Sequence, residues 1–238
     1  MHERIAIIGG TGDLGLGLAL RWAFAGIEIV IGSRDEQKAR GAAQHVKDIL
    51  NLDPACPRDI HVTGLENAAA CAGADAVVLA VPFPAQAATL TSVRGSLKDA
   101  ILVDATVPLA ATIGGKATRV LGVWQGSAAA QARELAPAST RVLSAFHNVS
   151  AEVLQDLSAA PDCDVLICGD DQAAKEMLSR LIKRIPGLRP VDAGPLEMAR
   201  IVESLTALLI SVNQRYKVKH SGIRIQGLPA EVPAADSP

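Results

Sequence analysis

Seven short stretches of this chain run apolar where a half-exposed strand would alternate: Arg4–Ile8, Ile27–Ile31, Ala76–Val81, Ala100–Val103, Arg141–Ala145, Asp164–Cys168 and Leu188–Val191. A strand without a polar face is buried on both sides, which requires a parallel sheet covered by helices. Helix-length segments lie between the runs: Asp13–Phe24, Glu36–Leu50, Pro84–Leu97, Ser127–Leu135 and Asp171–Ile185. Strand and helix in alternation predict a doubly wound α/β fold. No linker or internal repeat divides the chain. Residues 1–228 therefore read as one domain that includes a C-terminal helical part, and the Pro/Ala-rich residues 229–238 as a disordered tail.

Composition excludes several classes of function. Hydrophobic residues make up 49% of the chain, too many for intrinsic disorder. The formal net charge is -2 and aromatics are 3%, so neither the basic excess nor the stacking platform of a nucleic-acid binder is present. The first apolar stretch imitates a signal peptide, but Gly9 to Gly12 break it and Asp13 and Arg21 charge it. The other long apolar stretch, Leu196–Tyr216, carries Glu197, Arg200, Glu203 and Arg215, and reads as a long amphipathic or buried helix rather than a membrane span. Cys56, Cys71, Cys163 and Cys168 show no C-x-x-C spacing and read as reduced thiols, which fits the cytoplasm.

Directly after the first strand stands Gly10-Thr11-Gly12-Asp13-Leu14-Gly15, a G-x-G-x-x-G motif that opens a helix. In that context it is a dinucleotide fingerprint: a tight turn, a close backbone approach to pyrophosphate, and a helix packed against its strand. The helix N-terminus presents free N–H groups to the phosphates. The sheet is thus a Rossmann-type one. The second strand selects the nucleotide. It ends in Gly32-Ser33-Arg34, with Arg34 19 positions after Gly15, where NAD binders carry Asp or Glu. A hydroxyl and a guanidinium suit a 2′-phosphate, and Lys38, one helical turn on, adds a second positive charge. Asp35 reads as the N-cap of the next helix.

With these residues placed, the chain resembles the NADPH-dependent F420 reductases (F420H2:NADP oxidoreductases). The likeness runs through residues 7–15 and 32–34, then Val81-Pro82, Val107-Pro108 and Ser144-Ala145-Phe146-His147. It continues at Cys168-Gly169-Asp170-Asp171, at residues 187–196, and at Val202-Glu203-Ser204-Leu205-Thr206. The resemblance implies an oxidoreductase that passes a hydride between NADP(H) and the deazaflavin coenzyme F420 as co-substrate. It implies NADP contacts from Gly10, Thr11, Gly12, Asp13, Leu14, Ser33, Arg34, Lys38, Phe83, Ala87, Leu109 and Ala151. His147 would position the deazaflavin ring, with Val149, Arg200 and Ser204 around it. A homodimer or other homo-oligomer built on the last helix is also expected. The chain departs from the pattern at Pro82-Phe83-Pro84, around 51–58 and 113–127, and at Lys219-His220-Ser221-Gly222. An NADPH-dependent reductase of a flavin, ferric complex or imine, and an NADPH sensor without turnover, stay open on the residues alone. No metal is expected: Asp170-Asp171 reads as a helix cap and Asp104 as structural or functional. His2, His45, His61 and His220 read as surface or structural, and Trp22 and Phe24 as core or subunit contact.

Overall fold

The computed structural model describes residues 3–56 and 59–228; the tail expected after 228 lies outside them, as does the end of the 51–58 loop. The chain runs β1 (Arg4–Ile8), α1 (Asp13–Phe24), β2 (Glu28–Ser33), α2 (Glu36–Asn51), β3 (Val62–Glu66), α3 (Asn67–Cys71), β4 (Ala76–Leu79) and α4 (Phe83–Leu97). It continues with β5 (Ile101–Asp104), α5 (Ala128–Leu135), β6 (Arg141–Ser144), α6 (Ala151–Gln155), β7 (Cys163–Gly169) and α7 (Gln172–Lys183). β8 (Leu188–Asp192), α8 (Ala199–Val202) and α9 (Leu205–Tyr216) complete it. The eight strands form one sheet in the order β3-β2-β1-β4-β5-β6-β7-β8. Neighbours are parallel except β6 and β7, which run antiparallel.

The apolar runs have the cause the sequence suggested. Ile5, Ile7, Ile29 and Ile31 face a layer with Leu18, Trp22 and Val46, while Ala6, Ile8, Val30 and Leu79 face the opposite layer with Leu90 and Val93. Successive side chains of a strand point to opposite faces, so a sheet covered twice needs apolar residues at every position. Trp22 is core: it is fully buried, donates Nε1–H to the Leu181 carbonyl at 2.9 Å and meets Phe146 edge-on.

Four elements differ from the sequence reading. The edge strand β3 and the short α3 were not foreseen, because β3 is half exposed and carries no apolar run. Nor was α6, which is seated by Arg21. That guanidinium, 7% exposed, donates to the carbonyls of Leu154 (2.9 Å), Val153 (2.8 Å), Asp156 (2.5 Å) and Ala159 (2.6 Å). The expected long helix over Leu196–Tyr216 is broken: a 3-10 turn at Leu196–Met198 and the four-residue α8 precede α9. The interruption falls at Glu203, whose carboxylate points inward and accepts from Ala128 N–H (2.8 Å) and Ala129 N–H (3.0 Å) at the start of α5. Among the described residues no helix is long and apolar enough to cross a membrane, and no group of three or more His, Cys, Asp or Glu side chains is arranged to hold a metal ion.

Candidate functional site

The strand order reverses between β1 and β4, and a crevice opens there beyond the carboxyl ends of the strands. Its floor is the turn after β1. Gly9 holds φ +84°, and a Cβ there would stand 2.6 Å from the Ala80 carbonyl oxygen on the facing wall. Gly12 donates N–H to the Gly9 carbonyl at 2.9 Å and serves as N-cap of α1 with no side chain covering the helix end. Gly15 lets α1 lie against the turn, since a Cβ there would come within 2.6 Å of the Gly9 oxygen. The helix end is left open toward the crevice, as phosphate binding requires.

The crevice continues as a groove of about 210 Å³ that brings together Gly9, Thr11, Gly12, Ser33 and Arg34 on one side and Ala80, Val81, Pro82, Ala85 and Thr89 on the other. Asn67 closes its end. Ser33 Oγ accepts the Asp35 N–H at 3.2 Å, which leaves its own proton to donate into the groove. Asp35 is turned away: its carboxylate accepts from Gln37 N–H and Lys38 N–H and caps α2. Arg34 is exposed and forms no ion pair among the described residues. The end of β2 thus offers a hydroxyl and an unengaged guanidinium, with no carboxylate side chain facing the groove.

A second cavity lies beyond β6. Phe146 adopts φ +73°, a left-handed conformation that costs a residue with a Cβ about 1–2 kcal/mol. Its ring is 1% exposed and meets Trp22 with centroids 5.8 Å apart at 80°, a contact that offsets much of that cost. The kink turns His147 into a cavity of about 130 Å³ with Val149, Leu209 and Ile210 as apolar lining and Asn213, Lys219 and His220 around them. His147 is 5% exposed, and neither ring nitrogen has a hydrogen-bond partner. Burial pushes its pKa down to about 4; the Thr106 backbone opposes the shift weakly, without a hydrogen bond of ordinary geometry. The imidazole is therefore neutral near pH 7. The Thr206 hydroxyl donates to the His147 carbonyl at 2.6 Å and fixes this turn to α9. A smaller space of about 40 Å³ adjoins, sharing Asn148, Val149, Ser150, His220 and Ser221 with the first.

The structure gathers part of the expected set. Thr11, Gly12, Ser33 and Arg34 line the groove, and His147 and Val149 line the second cavity. Gly10 lies beneath the groove and donates N–H to the Ile7 carbonyl. Asp13 and Leu14 form the first turn of α1, with the Asp13 carbonyl accepting from Gln155 and Leu14 packed on the core. Lys38 is exposed on α2. Phe83 and Ala87 are half-buried on the first turns of α4, flanking the groove residue Ala85. Leu109 bridges to Val120 in the excursion after β5, and Ala151 begins α6. Arg200 and Ser204 do not line the cavity with His147; the Ser204 hydroxyl donates to the Arg200 carbonyl at 2.9 Å. α9 supplies Thr206, Leu209, Ile210 and Asn213 there instead. Sequence reasoning missed these four, together with Asn67 and Thr89. Asn67 had a usable signal, a polar side chain at a strand's carboxyl end, legible only once β3 is recognised.

Two buried carboxylates lie behind the site. Burial raises Asp104 to about 6, although Thr106 and Gln86 donate to it. Burial raises Glu203 to about 7, although the Ala128 and Ala129 N–H groups donate to it. Asp104 thereby shows a structural role: it ties α4 to the end of β5.

The family model described as NADP oxidoreductase, coenzyme F420-dependent, matches residues 4–108. The chain is 49% identical over 232 residues to the F420-dependent NADP reductase of Methanothermobacter thermautotrophicus, covering 97% of this chain and 98% of the relative. It is 44% identical to the protein of that name from Methanocaldococcus jannaschii, over 94% of this chain and 99% of the relative. A crystal structure from Arthrobacter sp. FB24, described as a candidate F420-dependent NADP reductase, superposes with a TM-score of 0.76 at 27% identity, over 93% of this chain and 98% of that one.

Proposed function

The chain belongs to the coenzyme F420-dependent NADP oxidoreductase family, and from that premise we propose that it passes a hydride between NADP(H) and coenzyme F420, held in the groove and in the His147 cavity respectively. The observation that carries the assignment of the groove is its end at β2, where Ser33 and Arg34 stand without a carboxylate side chain toward the ligand. The groove fits a dinucleotide phosphate: Gly9, where a Cβ would collide with the Ala80 backbone, lets the turn after β1 pass close under the facing wall, and the open end of α1 meets the phosphates. The His147 cavity fits a heterocycle with polar edges, because sealed polar atoms with no partner line it: both ring nitrogens of His147, Asn148 Oδ1 and Ser221 Oγ.

When bound, the two coenzymes supply the hydride chemistry themselves, and the protein supplies position and surroundings. Thr11 and Gly12 present backbone to the pyrophosphate. Ser33 donates its hydroxyl, and Arg34 its guanidinium, to the 2′-phosphate, with Lys38 adding charge from α2. Phe83, Ala87, Leu109 and Ala151 flank the nicotinamide half. Neutral His147 offers one N–H to the deazaflavin edge, where charge changes as the ring is reduced. Val149, Leu209 and Ile210 keep water from its faces. Arg200, on α8, and Ser204, directly before α9, lie outside this wall. The exposed Ile201 and Leu208 support self-association through α8 and α9. The continuous sheet supports one NADP-binding domain. Four free cysteines support a reducing, cytoplasmic setting, and the near-balanced charge supports the absence of a nucleic-acid partner.

The test is an acceptor panel. Purified protein is mixed with NADPH or NADH and with a deazaflavin, free flavin mononucleotide or a ferric chelate, and the loss of acceptor absorbance is followed. Turnover with NADPH and the deazaflavin alone is expected. Equal rates with free flavin or the ferric chelate would favour a general NADPH-dependent reductase.

A further inference from the structure

Asn67 is the first residue of α3, directly beyond the carboxyl end of β3. Its side chain is 3% exposed, its Oδ1 is sealed from solvent without a hydrogen-bond partner, and the residue lines the groove. An amide oxygen left in that state costs about 1–3 kcal/mol, so a partner is expected from what fills the groove. Its position says which part. The pyrophosphate cradle follows β1, whereas β3 lies two places away on the far side of β2. Ser33 pairs with Glu66 across β2 and β3, so Asn67 stands beside the Ser33–Arg34 end. Room for it comes from Gly32: a Cβ there would be 3.1 Å from Asn67 Oδ1.

We propose that Asn67 is a nucleotide-specificity residue whose side-chain amide hydrogen-bonds the adenosine of the dinucleotide next to the 2′-phosphate. The inference rests on the assignment of the groove to NADP(H). The 2′-phosphate itself is the task of Ser33 and Arg34, whereas the unpartnered atom of Asn67 is Oδ1, an acceptor that finds no donor on an ionised phosphate. The adenosine offers donors in its remaining ribose hydroxyl and its exocyclic amine. A neutral amide at this place also matters by what it is not. A carboxylate there would put negative charge beside the 2′-phosphate and offer the ribose hydroxyls the acceptor that NAD binders use.

The experiment is calorimetric titration of the native protein, Asn67→Leu and Asn67→Asp with adenosine 2′,5′-bisphosphate, NADP, NAD and nicotinamide mononucleotide, no deazaflavin being present. Asn67→Leu is expected to weaken adenosine 2′,5′-bisphosphate, NADP and NAD by about tenfold, the size of one hydrogen bond. Nicotinamide mononucleotide should bind as before. Asn67→Asp is expected to weaken NADP further while sparing or improving NAD, moving the NADP-to-NAD preference by about tenfold or more toward NAD. A merely structural side chain would lower thermal stability in both variants and leave that preference where it was. Unchanged affinities in a folded Asn67→Leu protein, or an unchanged preference in Asn67→Asp, would overturn the assignment. Native protein that binds adenosine 2′,5′-bisphosphate with this Asn67 dependence, yet turns over no deazaflavin, would support the assignment and overturn only the functional reading.

Discussion

His147 reaches its cavity because a single residue, Phe146, accepts a left-handed backbone that its side chain disfavours. The ring contact with Trp22 ties that kink to the centre of α1, so the position of the imidazole depends on core packing as well as on its own loop. With its pKa held at about 4 by burial, His147 stays uncharged at neutral pH and acts as a positioning donor. His147→Asn keeps a donor and should retain much of the activity. His147→Ala should lose more and raise the KM for the deazaflavin, while NADPH binding changes little in either. Steady-state rates should show no inflection from this imidazole between about pH 5.5 and 8. An inflection there that disappears in His147→Asn, or equal abolition of turnover by both variants with deazaflavin affinity intact, would mark the histidine as an acid–base catalyst. At this scale the sequence was informative wherever function is local. The glycines, Ser33, Arg34 and the Asp35 cap lie within a few residues of the strand ends that give them meaning. The burial of His147 was not legible, since α9 and the 219–221 segment that cover it come from more than 50 residues away.

The helices and strands show where local reading fails. Residues 196–216 have the apolar periodicity of one helix, yet the chain stops at Glu203 to place a carboxylate on the N-terminus of α5, 74 and 75 positions earlier. A long-range cap of this kind leaves no trace in hydrophobic spacing. Glu203→Gln keeps one acceptor oxygen for two N–H groups and should cost about 1–3 kcal/mol. The pH dependence has a definite sign. The folded pKa of Glu203, about 7, lies above its ordinary 4.5, so the folded state holds the proton longer and the associated stability is present below pH 4.5 and lost as pH rises through 7. The penalty of Glu203→Gln in thermal unfolding should therefore be larger near pH 5 than near pH 8; the reverse order would contradict it.

A second long-range tie holds the segment that carries His220 and Ser221. Asp164 on β7 is sealed from solvent and accepts from Arg189 (2.8 and 2.7 Å), Arg224 (2.9 Å) and the Ile225 N–H (2.7 Å). Burial opposes its charge, but these donors outweigh burial and hold its pKa below the usual carboxylate range. The Asp164 backbone N–H also donates to the Ile223 carbonyl, and its carbonyl accepts from Asn148 beside His147. Asp164→Asn should loosen this segment and raise the deazaflavin KM severalfold with kcat and NADPH affinity nearly unchanged. Steady-state kinetics on protein shown to be folded would check it, and a KM for NADPH that rises in parallel would count against a local role.

For the molecule as a whole, the alternation of buried strands and helices was enough to set the architecture, because a doubly covered parallel sheet leaves its mark on every central strand. The edge strand β3 escaped for the same reason in reverse, and with it Asn67. In the proposed function the chain brings NADPH and a deazaflavin face to face, so that hydride passes directly, carbon to carbon. The measurement that tests it most directly is a single turnover of NADPH deuterated at the transferring position of nicotinamide C4, with the purified protein and oxidised F420 in ordinary water, read by mass spectrometry of the reduced deazaflavin. Direct transfer leaves one deuterium on the deazaflavin carbon that receives the hydride. A reduced deazaflavin that carries only solvent hydrogen, or NADPH that stays unoxidised with F420 present, would contradict it.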